Sequence, residues 1–343
     1  MGIVGITGGV DTHADVHVAA AVDHNGGLLG VEPFPADQAG YEQLLVWLTG
    51  FGDLDSVGVE GTGSWGVGLS RFLTGAGVVV VEVDRPNRQT RRRKGKSDPS
   101  DAISAARAAL SGVASVTPKT RNGPIEQMRV LLVARRSARQ QRIQNLNQLR
   151  HLVFCAPEPI RVRFKDRYKT GLVSEAANMR PHKGSDQIVY TTNLVIRGLA
   201  RRVKSLNTEI KTIDQTLKLL IEATAPSLLE LHGVGVDTAA SLLVTAGDNP
   251  DRIGSEGSWA HLCGTTPLPA SSGKVTRHRL NRGGDRQANA ALHRIVLTRM
   301  SSHSETRSYV ARRREKGLST PEIMRCLKRY VARQTYKHLP QTT

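Results

Sequence analysis

The sequence predicts an α/β N-terminal domain, a long helical middle and a mainly helical C-terminal region. Three observations predict it. Short apolar runs cut by turn residues fill the first 83 residues. Helical spacing is then sustained for many turns on either side of residues 155–190. From residue 226 onward, shorter helical stretches alternate with Gly-rich and Ser-rich loops. The expected boundaries are 1–122, 123–222 and 223–343.

The first three strands are "IVGIT", "VHVAAAVD" and "LLGVEPF", the last two joined by the turn "HNGG". "ADQAGYEQLLVWLTGF" predicts an amphipathic helix stopped by glycine, and "SVGVE" a short buried strand ending at Glu60. "SWGVGLSRFLTGAG" predicts a second helix and "VVVVEVD" a fifth strand. Hairpins first and α/β crossovers afterwards give the strand pattern of ribonuclease-H-like folds, in which the first and fourth strands are neighbours. "EQMRVLLVARRSARQQRIQNLNQLRHLV" predicts a long basic helix. Leu199, Val203, Leu206, Ile210, Ile213, Leu217 and Leu220 repeat at 4-3 spacing, the seam of a coiled coil or of an amphipathic helix in a bundle. "LLELHGVGVDTAASLLVTAG" predicts helix–hairpin–helix. Gly233 and Gly235 there would let backbone amides approach a phosphate, although a turn between packed helices has the same pattern.

A formal charge of +18 in 343 residues predicts a polyanionic partner, nucleic acid before membrane. No run of 18 apolar residues predicts a membrane span. The start "MGIVGITGGVDTHAD" lacks the features of a secretory signal, so the expected location is cytoplasmic. Cys155, Cys263 and Cys326 have no disulfide or zinc spacing. Aromatic residues are 4% of the chain, which argues against base stacking as the main mode of binding.

Seven basic residues and no acid lie between Arg85 and Lys96. Arg91, Arg92, Arg93 and Lys94 are the candidate phosphate contacts. Asp98 and Asp101 follow at once. Read as a helix start, Asp98 is the N-cap, Pro99 the first helical residue, and Asp101 the third position of a capping box. Read as chemistry, these two acids join Asp11 at the end of the first strand and Glu60 at the end of the fourth. Four converging carboxylates suit Mg²⁺ or Mn²⁺. Two such ions about 4 Å apart stabilise the attacking and leaving oxygens of a phosphate. His13 and His17 flank Asp11 and read either as further ligands or as polar turn residues. A competing motif is Gly61-Thr62-Gly63-Ser64-Trp65-Gly66, a GxGxxG after a strand and before a helix, with Asp84 ending the next strand. It supports an NAD-binding oxidoreductase. Its position third in the chain, and Trp65 within it, count against a pyrophosphate site.

Taken together, "GVDTHADVHVAAAVD", "VGVEGTGSWG", "KGKSDPSDAISAARAAL", "LLELHGVGVDTAASLL" and "LCGTTPLPASSGKVTRHRLNRGGDRQANAALHRIVL" resemble the IS110-family transposases, also called DEDD recombinases. The resemblance runs over nearly the whole chain and is weakest at 155–190. It implies a RuvC-like N-terminal domain, a coiled-coil middle and a C-terminal transposase domain. It implies an acidic tetrad at Asp11, Glu60, Asp98 and Asp101, and a nucleophilic serine at Ser272, with Ser271 the alternative. The basic residues Lys274, Arg277, Arg279 and Arg282 would hold nucleic acid around it. It further implies a metal-dependent DNA recombinase that works on target and donor double-stranded DNA. A structured non-coding bridge RNA would guide it, and it would assemble as a homodimer or homotetramer. A RuvC-like nuclease would use the same acids with water as nucleophile. A basic protein that only binds nucleic acid would need neither acids nor serine.

Overall fold

The computed structural model describes residues 5–83, 97–167, 171–271 and 278–340. The chain divides into two compact units, one formed by 1–122 with 247–252 and the other by 123–246 with 253–343.

The first unit is a mixed five-stranded sheet with helices. Its strands are β1 (Ile6–Thr12), β2 (Val16–Asp23), β3 (Leu28–Pro35), β4 (Leu54–Glu60) and β5 (Val80–Val83), in the order β3-β2-β1-β4-β5. β1 pairs antiparallel with β2 and parallel with β4. The Asp23 carboxylate accepts the amides of Asn25 and Gly27, both at 2.8 Å, which closes the β2–β3 turn. β1 is buried along its whole length because helices cover both faces of the sheet. One face packs Leu44 and Leu48 of α1 (Gln38–Thr49), with Leu69 and Leu73 of α2 (Val67–Gly75), into a core with Val57, Val59 and Phe34. The other face carries α3 (Asp98–Leu110).

Two glycines seat α3. A Cβ on Gly9 of β1 would overlap the Ala106 nitrogen and the Ala102 carbonyl, and one on Gly58 of β4 would stand 2.6 Å from the Ala105 carbonyl. Neighbouring strands therefore present bare backbone to the Ala102–Ala105–Ala106 face of the helix, and the two elements touch with no side chain between them. Alternation along a strand then puts Asp11, two residues past Gly9, and Glu60, two past Gly58, on this same face.

The helix begins one residue earlier than the sequence suggests. Ser97 has the extended backbone of an N-cap, Asp98 is the first helical residue, and the Asp101 amide donates to the Ser97 carbonyl at 3.1 Å. Asp98 therefore does not cap the helix, and Asp101 sits at the fourth helical position, turned into the protein.

The second unit is mainly helical. Two long helices, α4 (Pro124–Phe154) and α7 (Gln187–Thr224), lie side by side. Leu199, Val203, Ile210, Ile213 and Leu217 of the 4-3 seam are buried within the unit. Asp186 caps α7 by accepting the amides of Ile188 and Val189. Between them, α5 (Glu158–Phe164) and α6 (Leu172–Ala177) pack Ile160, Phe164 and Leu172 on Leu149, Val153 and Ile196. The remaining elements are α8 (Ser227–Glu230), α9 (Val236–Ala246), α10 (Glu256–Leu262), β6 (Leu268–Pro269), β7 (His278–Arg279), α11 (Arg286–Ser302), α12 (Ser304–Glu315) and α13 (Thr320–Tyr336). Their core surrounds Trp259 and also takes in Met128 and Leu132 of α4 with Leu217 and Ile221 of α7. The Trp259 indole donates to the buried Thr335 hydroxyl at 3.2 Å. Among the described residues no helix is long and apolar enough to cross a membrane.

Candidate active site

Asp11, Asp98 and Asp101 come together where β1 meets the start of α3, and Glu60 ends the neighbouring β4. The β1–β4 register pairs Val10 with Val59, so Asp11 and Glu60 are the next residues along adjoining strands. The Thr12 hydroxyl donates to the Glu60 carbonyl at 2.8 Å and ties the two strand ends. α3 runs back against β1 from the Gly9 contact. The two residues from Gly9 to Asp11 advance the strand about 6.6 Å, and the four or five from the Ala102–Ala106 turn back to Asp98 and Asp101 advance the helix a similar distance, about 6–7.5 Å. The first turn of α3 thus arrives beside Asp11, with the positive end of the helix dipole toward the acids.

Asp11, Glu60 and Asp101 are buried, and Asp98 is half-exposed. Burial pushes the Asp11 carboxyl above its ordinary value. The nearby His13 works against this, and the charges of Asp101 and Asp98 add to it. A buried acid held among like charges is a place where a cation would relieve repulsion. One ligand atom each from Asp11, His13 and Asp98 lies within 4.8 Å of the others. His13 Nε2 is 3.1 Å from Asp11 Oδ2 and 3.4 Å from Asp98 Oδ1. This mixed oxygen and nitrogen set fits a divalent metal.

His13 is the residue of this cluster that the sequence left open. Period-two alternation through Gly9 and Asp11 carries on to residue 13, and that signal points to it. His17 is outside the ligand cluster but touches it, its Nδ1 accepting the His13 amide at 3.3 Å. It is fully buried, its ring stacks on Tyr41 with centroids 5.7 Å apart, and burial lowers its pKa.

The GxGxxG segment is a chain reversal between β4 and α2. Gly61 takes a positive φ of 69°, and the amides of Ser64 and Gly66 both return to its carbonyl. Trp65 is exposed. The antiparallel β1–β2–β3 hairpins also differ from the parallel sheet a dinucleotide fold requires. Asp84 and the basic run Arg91, Arg92, Arg93 and Lys94 lie outside the described residues.

In the helical unit, Gly233 has a positive φ of 82°. The Gly235 amide bonds the Thr238 hydroxyl at 2.9 Å. Both glycines line a cleft of about 400 Å³ together with Arg135, Asp214, Asp237 and Arg294. Ser272, Lys274 and Arg277 lie outside the described residues. The segment that holds them is bracketed by β6 and β7, which pair Leu268 with Arg279 and Pro269 with His278. Ser271, Arg279 and Arg282 are exposed. Arg282 lines a larger cleft of about 820 Å³.

Both units carry the marks of one class of protein. A transposase model of the IS110 DEDD type matches residues 8–154, the stretch that holds all four acids. A second model, described as Transposase IS116/IS110/IS902 family, matches residues 225–311. The chain belongs to the IS110 family of transposases. It is similar to a Streptomyces coelicolor protein described as "Insertion element IS110 uncharacterized 43.6 kDa protein", at 31% identity over 130 residues. The match covers 37% of this chain and 32% of that protein, so the chain spans about a third of the relative's length.

Proposed function

We propose that this chain is the recombinase of an insertion sequence and cuts and rejoins DNA strands through a serine nucleophile. The observation that carries this reading is the convergence of Asp11 and Asp98, with His13 between them, beside the buried Asp101 and Glu60 in a transposase-type domain. The N-terminal unit is read as ribonuclease-H-like, or RuvC-like, on its β3-β2-β1-β4-β5 strand order. The long helices are read as the family's coiled-coil region, and Gly233–Gly235 as its helix–hairpin–helix turn.

Asp11, Glu60, Asp98 and Asp101 would hold Mg²⁺ or Mn²⁺, with His13 as a fifth candidate. When bound, the metal supplies positive charge to the phosphate under attack. The residues of the chain do the rest. Arg91, Arg92, Arg93 and Lys94 grip the backbone without reading bases. The Ser272 hydroxyl attacks a phosphodiester, an Oγ–P bond forms, and the P–O bond to the leaving nucleotide breaks. The serine proton is given up and the leaving oxygen departs as a hydroxyl. Lys274 and Arg277 balance the charge that develops. Resealing reverses the step with a different hydroxyl. The substrates are target and donor double-stranded DNA. A structured bridge RNA would supply sequence by base pairing, in agreement with the low aromatic content. The acids and the serine fall in different units, and a homodimer or homotetramer would let them come from different subunits. The expected compartment is the cytoplasm.

The test is cleavage of labelled DNA carrying the element's junction, with Mg²⁺ and RNA transcribed from its flanking non-coding sequence. Products are run on a denaturing gel after heating in detergent. A band of DNA linked to protein, absent in Ser272→Ala and in Asp11→Asn, is expected. Free cleaved ends with no linked band would make the chain a nuclease that uses water.

A further inference from the structure

Apart from Arg282, the lining of the 820 Å³ cleft of the helical unit has no family-derived role. Arg135, Arg136 and Arg139 of α4 form one wall. Arg286, His293 and Arg294 of α11 form another, and Arg282 closes the end. Asp237 is the one acid of the lining. Both of its oxygens are already engaged, Oδ1 by Arg135 at 2.8 Å and Oδ2 by Arg294. Arg136, Arg139, Arg282 and Arg286 form no ion pair among the described residues, and Arg136 donates to its own helix at the Leu132 carbonyl. Arg294 Nε is buried with no hydrogen-bond partner among the described residues. A concave surface with this many unpaired guanidiniums takes an anion.

The shape selects among anions. The volume lies within the roughly 300–1,000 Å³ usual for ligand sites. The α11 wall from Arg286 to His293 runs about 10 Å, long enough for a row of anionic groups. Guanidinium forks match phosphate oxygens, and Ala290 is the one apolar side chain of the lining. These features describe a run of phosphodiesters.

The rim adds a direction. Gly264, just before β6, is pressed against Gly284, after β7, so closely that a Cβ on Gly284 would overlap the Gly264 backbone. The Asn281 side chain donates to the His261 carbonyl at 2.9 Å, and Asn289 donates to the carbonyls of Cys263 and Gly264 at 2.8 and 3.1 Å. Gly264, Asn281, Gly284 and Asn289 also line the cleft. The residues flanking β6 and β7 are therefore fixed to the cleft wall.

We propose that this cleft seats the phosphodiester backbone of a nucleic-acid strand alongside the β6–β7 pair. The seat stands on the cleft's own geometry, and its part in strand exchange rests on the function proposed above. Arg136, Arg139 and Arg286 would be the phosphate contacts, and Arg135 and Arg294 the fixed inner wall.

The test is binding of fluorescent oligonucleotides to the full chain by anisotropy at stepped salt, with single-stranded RNA, single-stranded DNA and duplex DNA as separate arms. Arg136, Arg139 and Arg286 are changed together to Gln, and Arg139→Gln is tested alone. A charge-matched control changes Arg202, Lys204 and Lys211, which lie exposed on α7, to Gln. The triple variant is expected to weaken binding at least about tenfold and to flatten the slope of log affinity against log salt by about 2–3, at roughly 0.7–0.9 per phosphate contact. Arg139→Gln should flatten it by about one contact. The arm affected identifies whether RNA, single-stranded DNA or duplex is seated. Unchanged affinity and slope in all arms, or an equal loss in the control, overturns the proposal. Because the readout is binding, a failed serine mechanism leaves it standing, and a failed cleft leaves the serine adduct to be seen or not.

Discussion

The backbone of Gly9 lies directly against the backbone of Ala106, strand on helix, with no side chain between. That contact, with its neighbour Gly58 on Ala105, sets how closely Asp98 and Asp101 approach Asp11. Gly9→Ala should lift the start of α3 away from the sheet. The expected loss is about 1–3 kcal/mol of stability, the usual range for overpacking, together with any thermal stabilisation of the wild type by the proposed Mg²⁺. A melting curve with and without Mg²⁺ checks both. An unchanged melting temperature and an unchanged Mg²⁺ response would mean that the helix is not held at this glycine.

Asp11→Asn should make the metal-free protein more stable at neutral pH. The folded state raises the Asp11 pKa through burial and the neighbouring acids. For an acid of this kind, the favourable contribution is complete below the unfolded value of about 4 and is lost as pH rises through the raised folded value. The advantage of Asn should therefore appear near neutrality and vanish in acid. Each kcal/mol gained is worth about 3–6 °C for a unit of this size. Mg²⁺ should stabilise the wild type and leave Asp11→Asn unmoved. A wild type that outlasts Asp11→Asn at pH 7 without metal would reverse the assignment.

Because Ser97, not Asp98, occupies the cap, Asp98→Ala should change stability by no more than about 0.5 kcal/mol. Its effect should fall on Mg²⁺ binding, measured by calorimetry. A drop of about 1 kcal/mol, typical of a lost cap, would return the cap to Asp98.

In the helical unit, Arg135 donates to Asp214 at 2.6 Å and to Asp237 at 2.8 Å, joining α4, α7 and α9. Arg135→Ala removes the cation from Asp214 and leaves Asp237 with Arg294 alone, and should cost about 1–3 kcal/mol. A double-mutant cycle with Asp214→Ala should show a coupling of at least about 0.5 kcal/mol. Additive losses would show the pair to be independent.

Much of the first unit was legible because its signals are local. Alternation placed the hairpins, "HNGG" placed a turn that Asp23 closes, and the apolar "SVGVE" placed the strand ending at Glu60. The helix after Pro99 was legible too, but its cap was not. Ser and Asp both cap well, and only backbone geometry separates Ser97 from Asp98. The two glycine seats were hidden because a strand glycine signals close approach without saying to what. His13 was ambiguous beside a strand end until Asp98 arrived from a helix 85 residues away. The arginine cleft was less visible still, since α4 and α11 bring Arg139 and Arg286 together from opposite sides of about 150 residues of chain.

The central claim is that the carboxylates and the serine perform one strand-transfer step. It is tested most directly by trapping the protein–DNA adduct, digesting it, and locating the attached nucleotide by mass spectrometry. The nucleotide is expected on Ser272 in the wild type, with no adduct in Asp11→Asn or in the absence of divalent metal. Attachment to Ser271 would move the nucleophile back one residue. DNA cut with no nucleotide on any serine, or an adduct that persists in Asp11→Asn, would contradict the claim.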